Sequence, residues 1–156
     1  MIYGLIAAVL ALVLDQISKF CVQTHFFENS GFLEVTSFFN IVHMWNRGVS
    51  FSMFNNWGNV GVYLLSAFAI TVVLALLWWM YKEKDLLVRI ALGLIIGGAL
   101  GNVIDRVRFG KVFDFLDFHI EKYHWPVFNG ADTFICIGAF IIIMAGFINK
   151  RKEEKK

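Results

Sequence analysis

The chain alternates long apolar stretches with shorter polar segments, and four of the apolar stretches are long enough to cross a membrane. The hydrocarbon core of a bilayer needs about 20 mostly apolar residues per spanning helix. Such stretches occupy about residues 2–22, 60–81, 86–104 and 131–148. The pattern therefore predicts a single polytopic membrane domain over residues 1–156, mainly α and built as a four-transmembrane-helix bundle.

Two segments remain between the predicted spans, at about residues 25–59 and 107–129. The first contains FLEVTSFFNIVHMW, whose Phe, Val, Thr and Ile content predicts β-strand. An open sheet edge cannot lie in hydrocarbon because its backbone groups would have no partners. We therefore expect a small sheet on the membrane surface, on the side that these two segments share.

Composition supports a membrane protein and excludes several other classes. The chain is 58% apolar and 17% charged, which is too hydrophobic for a soluble domain, and its 17 Phe residues exclude a disordered chain. The net charge of +2 gives no reason to expect nucleic acid as a partner. Two cysteines, Cys21 and Cys136, form no disulfide framework and are interpreted as packing residues.

The distribution of basic residues orients the predicted bundle. Four spans place both termini on one side, and eight of the fourteen Lys and Arg residues fall there. The positive-inside rule makes that side cytoplasmic. The two longer segments then lie on the outer side. The first stretch is interpreted as a span because no Lys or Arg precedes it as in a secretory signal.

Polar residues gather at the outer ends of the predicted spans. Ionisable groups at membrane depth are costly, so such a cluster suggests function. Its members lie three or four residues apart within each span, which places each set on one helix face. They are Asp15 and Lys19 of the first span, Asn102, Asp105 and Arg106 of the third, and Asn129 and Asp132 of the fourth.

The third span also carries Gly93, Gly97 and Gly101 at intervals of four residues. Small residues along one stripe allow helix backbones to approach closely in a membrane. We expect this stripe to bring the polar faces of neighbouring spans together.

A purely structural interpretation competes with a functional one at several positions. Asp15 with Lys19, and Asp105 with Arg106, are also compatible with interfacial salt bridges that fix packing, and Asn46 is compatible with a loop turn. His43, His119 and His124 are scattered, and no HExxH-type pair is present. We therefore predict neither a metal site nor a cofactor.

Asp132 has no cation within four positions and is followed by apolar residues, while Asp114 and Asp117 lie among Phe side chains. An apolar environment raises the pKa of a carboxyl group. Two such groups at short range share one proton, which provides a base for water and an acid for a carbonyl. This is the chemistry of an aspartic protease, and the residues alone do not decide between Asp114 and Asp117.

Five sequence blocks together resemble the bacterial lipoprotein signal peptidase family, also called signal peptidase II. The likeness spans nearly the whole chain and keeps the order of the blocks. They are LDQISK at 14–19, NRGVSFS at 46–52, GNVIDR at 101–106, VFDFLDF at 112–118 and FNGADTFI at 128–135.

The resemblance implies a membrane-embedded aspartic endopeptidase with a β cradle over its site. Such an enzyme removes the signal peptide of a diacylglyceryl-modified prolipoprotein by cutting before the lipidated cysteine. The resemblance makes Asp114 and Asp132 the catalytic pair. It also implies that the enzyme is a monomer that acts in the inner membrane, in contact with lipid and without a cofactor. The residues that it implies bind substrate or brace the site are Asp15, Lys19, Asn46, Gly48, Asn102, Asp105, Arg106 and Asn129.

Two other functions remain compatible with the sequence. A small proton-coupled transporter also uses intramembrane Asp residues, although a proton relay is expected to spread its acids through the membrane depth. A non-catalytic assembly factor would instead use the aromatic outer segment to bind partners, and it would tolerate loss of either Asp114 or Asp132.

Overall fold

The computed structural model describes residues 1–25, 32–48 and 58–153. Four long helices occur in this part of the chain, and an antiparallel sheet accompanies them. The helices are α1 (Ile2–His25), α2 (Gly58–Lys82), α3 (Leu86–Phe109) and α4 (Gly130–Glu153). The strands are β1 (Phe32–Thr36), β2 (Phe39–Asn46), β3 (Val112–Ile120) and β4 (Tyr123–His124), in that spatial order.

Each helix contains a segment long and apolar enough to cross a membrane. These segments are Ile2–Thr24, Val60–Lys82, Leu86–Phe109 and Gly130–Ile148. The predicted fold class, a mainly helical four-span bundle with a small sheet, is therefore confirmed. The third helix continues to Phe109, so the start of the segment predicted to lie outside the spans, from about residue 107, is helical.

Helix α3 is the central helix of the bundle. Half of its membrane segment is buried within the protein, against 17% for α2 and α4. The helix begins where the Asp85 carboxylate accepts hydrogen bonds from the Leu87 and Val88 amides. It ends at Gly110, whose φ of 67° is the left-handed conformation that glycine adopts without strain. This stop turns the chain directly into β3.

Glycines on α3 allow its neighbours to approach closely. A Cβ added at Gly93 would collide with the Gly4 carbonyl oxygen of α1, and one added at Gly97 would collide with the Ala8 carbonyl oxygen. On another face of α3, a Cβ at Gly98 would collide with the Ala131 carbonyl oxygen of α4. The bundle therefore depends on bare backbone at these crossings.

The sheet packs against the same end of the bundle that carries the polar cluster. Strands β2 and β3 pair antiparallel and place Met44 opposite Asp114 and Asn40 opposite Asp117. Phe113 and Phe115 of β3 are buried against Val22 of α1. The sequence pattern predicts a strand only in the first outer segment, and the structure adds β3 and β4 from the second.

We predict that Gly97→Ala destabilises the bundle by about 1–3 kcal/mol, since the new methyl group overpacks the α1–α3 crossing. Its Cβ would lie 2.8 Å from the Ala11 Cβ as well as against the Ala8 carbonyl oxygen. The measurement is the unfolding free energy in detergent micelles by titration with a denaturing detergent.

Gly146→Ala is the matched control, because an added Cβ there meets no atom within 4 Å. This change should leave stability unaltered or raise it slightly, as Ala is the better helix former. Equal effects of the two substitutions would contradict close packing at Gly97.

Candidate active site

Lys19 is the centre of a buried ionic cluster that joins α1 to α3. Its Nζ lies 2.9 Å from an Asp15 oxygen, 2.8 Å from an Asp105 oxygen and 3.2 Å from Oδ1 of Asn102. The exposed fractions of Lys19, Asp15 and Asp105 are 3%, 0% and 2%. One ammonium group thus compensates two carboxylates that are shielded from solvent.

Gln16 completes this cluster, although no sequence pattern had indicated it as a site residue. Its side-chain amide donates to Asp15 and to Asp105, each at 3.1 Å. The interpretation that Asp15 pairs with Lys19 is confirmed. The interpretation that Asp105 pairs with Arg106 is wrong, because the described cation at Asp105 is Lys19.

Asp15 also holds the beginning of α4. Its Oδ1 accepts a 2.7 Å hydrogen bond from the Ala131 backbone amide. The first amides of a helix have no partner within the helix, and a carboxylate is a favourable acceptor for them. Through this contact the ionic cluster fixes the position of the α4 N-terminus, which carries Asp132.

Asn129 caps α4 and orients Asp132. The Asn129 Oδ1 accepts from the Asp132 amide at 3.1 Å, and the Asp132 Oδ2 accepts from the Asn129 amide at 3.3 Å. This reciprocal pair has the pattern of a capping box. A 2.9 Å hydrogen bond from the Asn102 amide group to Asp132 Oδ1 holds the other oxygen. Both oxygens of Asp132 are therefore held in place.

Asn129 links Asp132 to Asp114 as well. Its side-chain amide group donates to Asp114 Oδ1 at 2.6 Å and to Asn102 Oδ1 at 3.2 Å. The second oxygen of Asp114 accepts from the Asn46 amide group at 3.1 Å. Two acids that are 18 positions apart in the sequence thus share one asparagine partner.

Burial raises the pKa of Asp114 to about 7, and the nearby negative charge of Asp132 acts in the same direction. The hydrogen bonds from Asn46 and Asn129 favour the ionised form and oppose the shift without cancelling it. Asp114 is 3% exposed and lies on β3, outside the membrane-spanning segments. Near neutral pH it therefore alternates between its protonated and ionised forms.

Asp114 and Asp132 line one cavity of about 400 Å³. The cavity has a polar end and an apolar end. The polar lining is Asn46, Gly48, Asn102, Arg106, Asp114 and Asp132, and the apolar lining includes Leu65, Phe68, Ala69, Val72, Ile95 and Ile135. An apolar chain can therefore run along α2 towards two carboxyl groups.

Arg106 ties the end of β2 to α3. One of its terminal nitrogens donates to the Gly48 carbonyl at 3.2 Å, and the other donates to the Asn102 carbonyl at 3.4 Å. The Gly48 amide in turn donates to Asn46 Oδ1 at 2.9 Å. These contacts hold Asn46 where it reaches Asp114. The NRGVSFS block after Gly48 lies outside the described residues.

Asp117 belongs to a different part of the sheet. It accepts hydrogen bonds from Asn40 at 2.9 Å and from His124 at 2.8 Å. Burial opposes these hydrogen bonds, but they outweigh it and lower the pKa of Asp117. The structure thus places Asp114 beside Asp132 and gives Asp117 a histidine partner.

The ten residues predicted for the site all lie in this region, on α1, α3, β3, α4 and the end of β2. Among the described residues, no group of three His, Cys, Asp or Glu side chains could hold a metal ion. The site offers two carboxyl groups whose hydrogen-bond partners are amide groups, and the Arg106 guanidinium lines the same cavity. Such a pair can take a proton from water and polarise a carbonyl group.

A four-span bundle that brings two carboxyl groups to one cavity has the features of a membrane-embedded protease of the aspartic type. The family follows from comparison with known sequences. The sequence model of the family described as Signal peptidase (SPase) II matches residues 7–148, and this chain belongs to that family.

Relatives named lipoprotein signal peptidase match almost the full length of the chain. The relative from Aeromonas hydrophila subsp. hydrophila is 43% identical over 149 residues, covering 94% of this chain and 89% of its own. The relative from Syntrophus aciditrophicus is 40% identical over 158 residues, covering 99% and 97%. The chain is therefore a bacterial membrane protein.

Two solved bacterial membrane enzymes have the same fold. One, determined by the in meso method at 2.3 Å, superposes with a TM-score of 0.83 at 32% identity and covers 98% of this chain and 91% of its own. The other, determined at 1.9 Å, gives a TM-score of 0.77 at 33% identity, with coverage of 91% and 90%. The predicted family resemblance is confirmed.

We predict that Lys19→Met destabilises the protein by about 3–5 kcal/mol, because Asp15 and Asp105 then remain buried without a cation. The unfolding free energy in micelles measures the effect. Adding Asp105→Asn to Lys19→Met should recover part of the loss, since it removes one uncompensated charge.

Lys122→Met serves as the control, because Lys122 is exposed and its described contact is with the Tyr123 ring. Its effect on stability should be within about 0.5 kcal/mol. A similarly small effect of Lys19→Met would show that the cluster does not support the bundle.

Proposed function

We propose that this chain removes the signal peptide from diacylglyceryl-modified prolipoproteins, cutting before the lipidated cysteine, with Asp114 and Asp132 as the catalytic pair. The observation that carries the proposal is that both acids line one cavity and that Asn129 contacts both of them. Membership of the family and the names of the relatives support the same substrate class.

The proposed mechanism needs one proton on the pair. The ionised carboxyl group removes a proton from water, whose oxygen attacks the scissile carbonyl carbon. The protonated carboxyl group donates to the carbonyl oxygen as negative charge develops there. The C–N bond then breaks as a proton passes to the leaving amine. A pKa of about 7 for Asp114 keeps the singly protonated pair available at neutral pH.

Four further residues position the pair in this proposal. Asn46 and Asn129 fix the two oxygens of Asp114, and Asn102 fixes Asp132. Arg106 acts through the Gly48 carbonyl, which anchors the end of β2. The cluster of Asp15, Lys19 and Asp105 acts indirectly, because it fixes the start of α4, which carries Asp132.

The apolar end of the cavity suits a substrate that arrives from the lipid. Leu65, Phe68 and Val72 of α2 lie along it, at membrane depth. The signal peptide is itself an apolar segment, so it can reach the acids without crossing a polar surface. We propose that the chain acts as a monomer in contact with lipid.

The proposed orientation places both termini in the cytoplasm and the two acids near the periplasmic leaflet of the inner membrane. Lys82, Lys84 and Arg89 cluster at the turn between α2 and α3, at the end of these helices away from the sheet. The positive-inside rule assigns that end to the cytoplasm. The sheet and the acids then face the periplasm.

A transporter is not favoured by this arrangement. Its acids would be spread through the membrane depth, whereas the buried acids described here lie at one end of the bundle and α2 contains none. The assembly-factor alternative is tested by the substitutions below.

We predict that Asp114→Asn and Asp132→Asn each lower cleavage of a diacylated lipobox peptide by about a thousandfold or more, since neither variant can form the singly protonated pair. Single-turnover cleavage in micelles, followed by a fluorogenic readout, measures the effect. Circular dichroism and the unfolding free energy test whether each variant keeps its fold.

Asp117→Asn is the matched control because Asp117 lies on the same strand but contacts Asn40 and His124. Its cleavage rate should stay within a few-fold of the wild type. Full cleavage by Asp114→Asn or Asp132→Asn would exclude the proposed catalytic pair, whereas absence of cleavage by the wild type would favour the assembly factor.

We predict that kcat/KM falls as the pH rises above about 7, because the pair then loses its shared proton. Asn46→Ala removes a hydrogen bond that favours ionised Asp114, so it should shift this limb to higher pH by up to about one unit. The measurement is kcat/KM from pH 5 to 9.

Asn40→Ala provides the comparison, since Asn40 donates to Asp117 instead. The midpoint of the pH profile should be the same for this variant as for the wild type. If Asn46→Ala left unchanged the pH at which kcat/KM falls, Asp114 would not be the group that controls this fall.

A further inference from the structure

A second cavity, distinct from the one that holds the two acids, also reaches Asp132. We name it the α4 groove. One wall is the segment 125–128, which leads into α4, and the other is the face of α4 that carries Asp132, Thr133, Cys136 and Ile137. Its volume is about 510 Å³, larger than the 400 Å³ of the cavity that contains Asp114. Asp132 and Ile135 line both cavities.

The α4 groove lies beside the hydrocarbon core. Its α4 wall falls within the membrane segment Gly130–Ile148. Cys136 is exposed, and Trp125 and Ile137 expose 68% and 45% of their surface. Any occupant therefore has lipid on one side and mainly apolar side chains on the other.

Several polar groups of the α4 groove are already engaged within the protein. The Thr133 hydroxyl donates to the Asn129 carbonyl at 3.0 Å. The Phe128 amide donates to the Leu116 carbonyl, and the Phe128 carbonyl accepts from the Leu116 amide. Pro126 has no amide proton. A peptide backbone would find few partners in this groove and would be left unsatisfied at membrane depth.

The cavity with both acids differs in this respect, because the Nε of Arg106 at that cavity is buried without a hydrogen-bond partner among the described residues. Asn46, Asn102 and Arg106 bring amide and guanidinium groups to its polar end. A peptide backbone can be satisfied there, whereas a methylene chain needs no such partners. The two cavities therefore suit two different parts of one substrate.

We infer that the α4 groove binds an acyl chain of the lipidated cysteine, while the peptide on both sides of the scissile bond occupies the cavity of Asp114 and Asp132. The inference rests on the proposed function, in which the modified cysteine directly follows the bond that is cut. The side chain of the lipidated cysteine then projects from the peptide beside Asp132, which also lines the α4 groove.

The first test compares two substrates that differ only in acyl length, a dipalmitoyl and a dibutyryl lipobox peptide. Cys136→Trp narrows the α4 groove from its exposed face. We expect it to lower the ratio of kcat/KM for the long-chain over the short-chain peptide by about tenfold. Cys21→Trp is the matched control because Cys21 is also exposed but lies on α1, and its ratio should equal the wild-type ratio.

The second test locates the chain directly. A dipalmitoyl peptide with a diazirine near one acyl terminus is bound to the Asp114→Asn variant and irradiated, and the labelled residues are mapped by mass spectrometry. Labels within 133–140 of α4 support the inference. Labels within 64–73 of α2 overturn it, since the acyl chain would then share the peptide's cavity.

The outcomes separate this inference from the proposed function. If the wild type cleaves neither peptide, the proposed function fails. If it cleaves both but Cys136→Trp leaves the ratio unchanged, the groove holds ordinary membrane lipid and the inference alone is overturned. Equal loss with both peptides would also overturn it, because it would show a role in peptide binding.

Discussion

The structure depends on the compensation of buried charge at one end of the bundle. Lys19 neutralises Asp15 and Asp105 together, and Asp15 also accepts from the Ala131 amide at the start of α4. A buried ion pair adds little net stability, but removing one partner is expensive. The cluster therefore acts mainly as a constraint on geometry. It allows α1, α3 and the start of α4 to meet in one arrangement, in which their polar ends are satisfied.

The two acids of the proposed catalytic pair lack such compensation. Amide groups from Asn46, Asn102 and Asn129 hold their oxygens, and no ion pair to either acid occurs among the described residues. A neutral donor holds a carboxyl group in place without supplying the positive charge that would keep the group ionised. Burial outweighs the hydrogen bonds at Asp114 and raises its pKa to about 7, whereas the hydrogen bonds from His124 and Asn40 outweigh burial at Asp117 and lower its pKa. The balance between burial and partners thus separates acids that support the fold from acids that can exchange protons.

Much of this arrangement could be predicted from sequence, because hydrocarbon imposes a strict length on spans and a high cost on charge. The four spans and the family follow from the pattern and its motifs. Strand β3 could not be predicted, since Asp114 and Asp117 interrupt the apolar alternation and its partner β2 comes from a distant segment. The register of β2 against β3 is what separates the two acids. The contacts of Gln16 and Asp105 could not be predicted either, because they form only where α1 packs against α3.

The position of the two acids, one on β3 and one in the first turn of α4, also bears on how a membrane segment can be cut. A peptide bond within a helix is hydrogen-bonded and inaccessible, and unwinding in hydrocarbon leaves backbone groups without partners. In the proposed function, the polar end of the cavity provides those partners where the apolar lining of α2 ends. A substrate helix can remain intact along α2 and unwind only beside Asn46 and Arg106. The cut then falls where the apolar helix of the substrate passes into its unwound segment. The depth of the acids in the membrane and the unwinding of the substrate together select the bond that is cut.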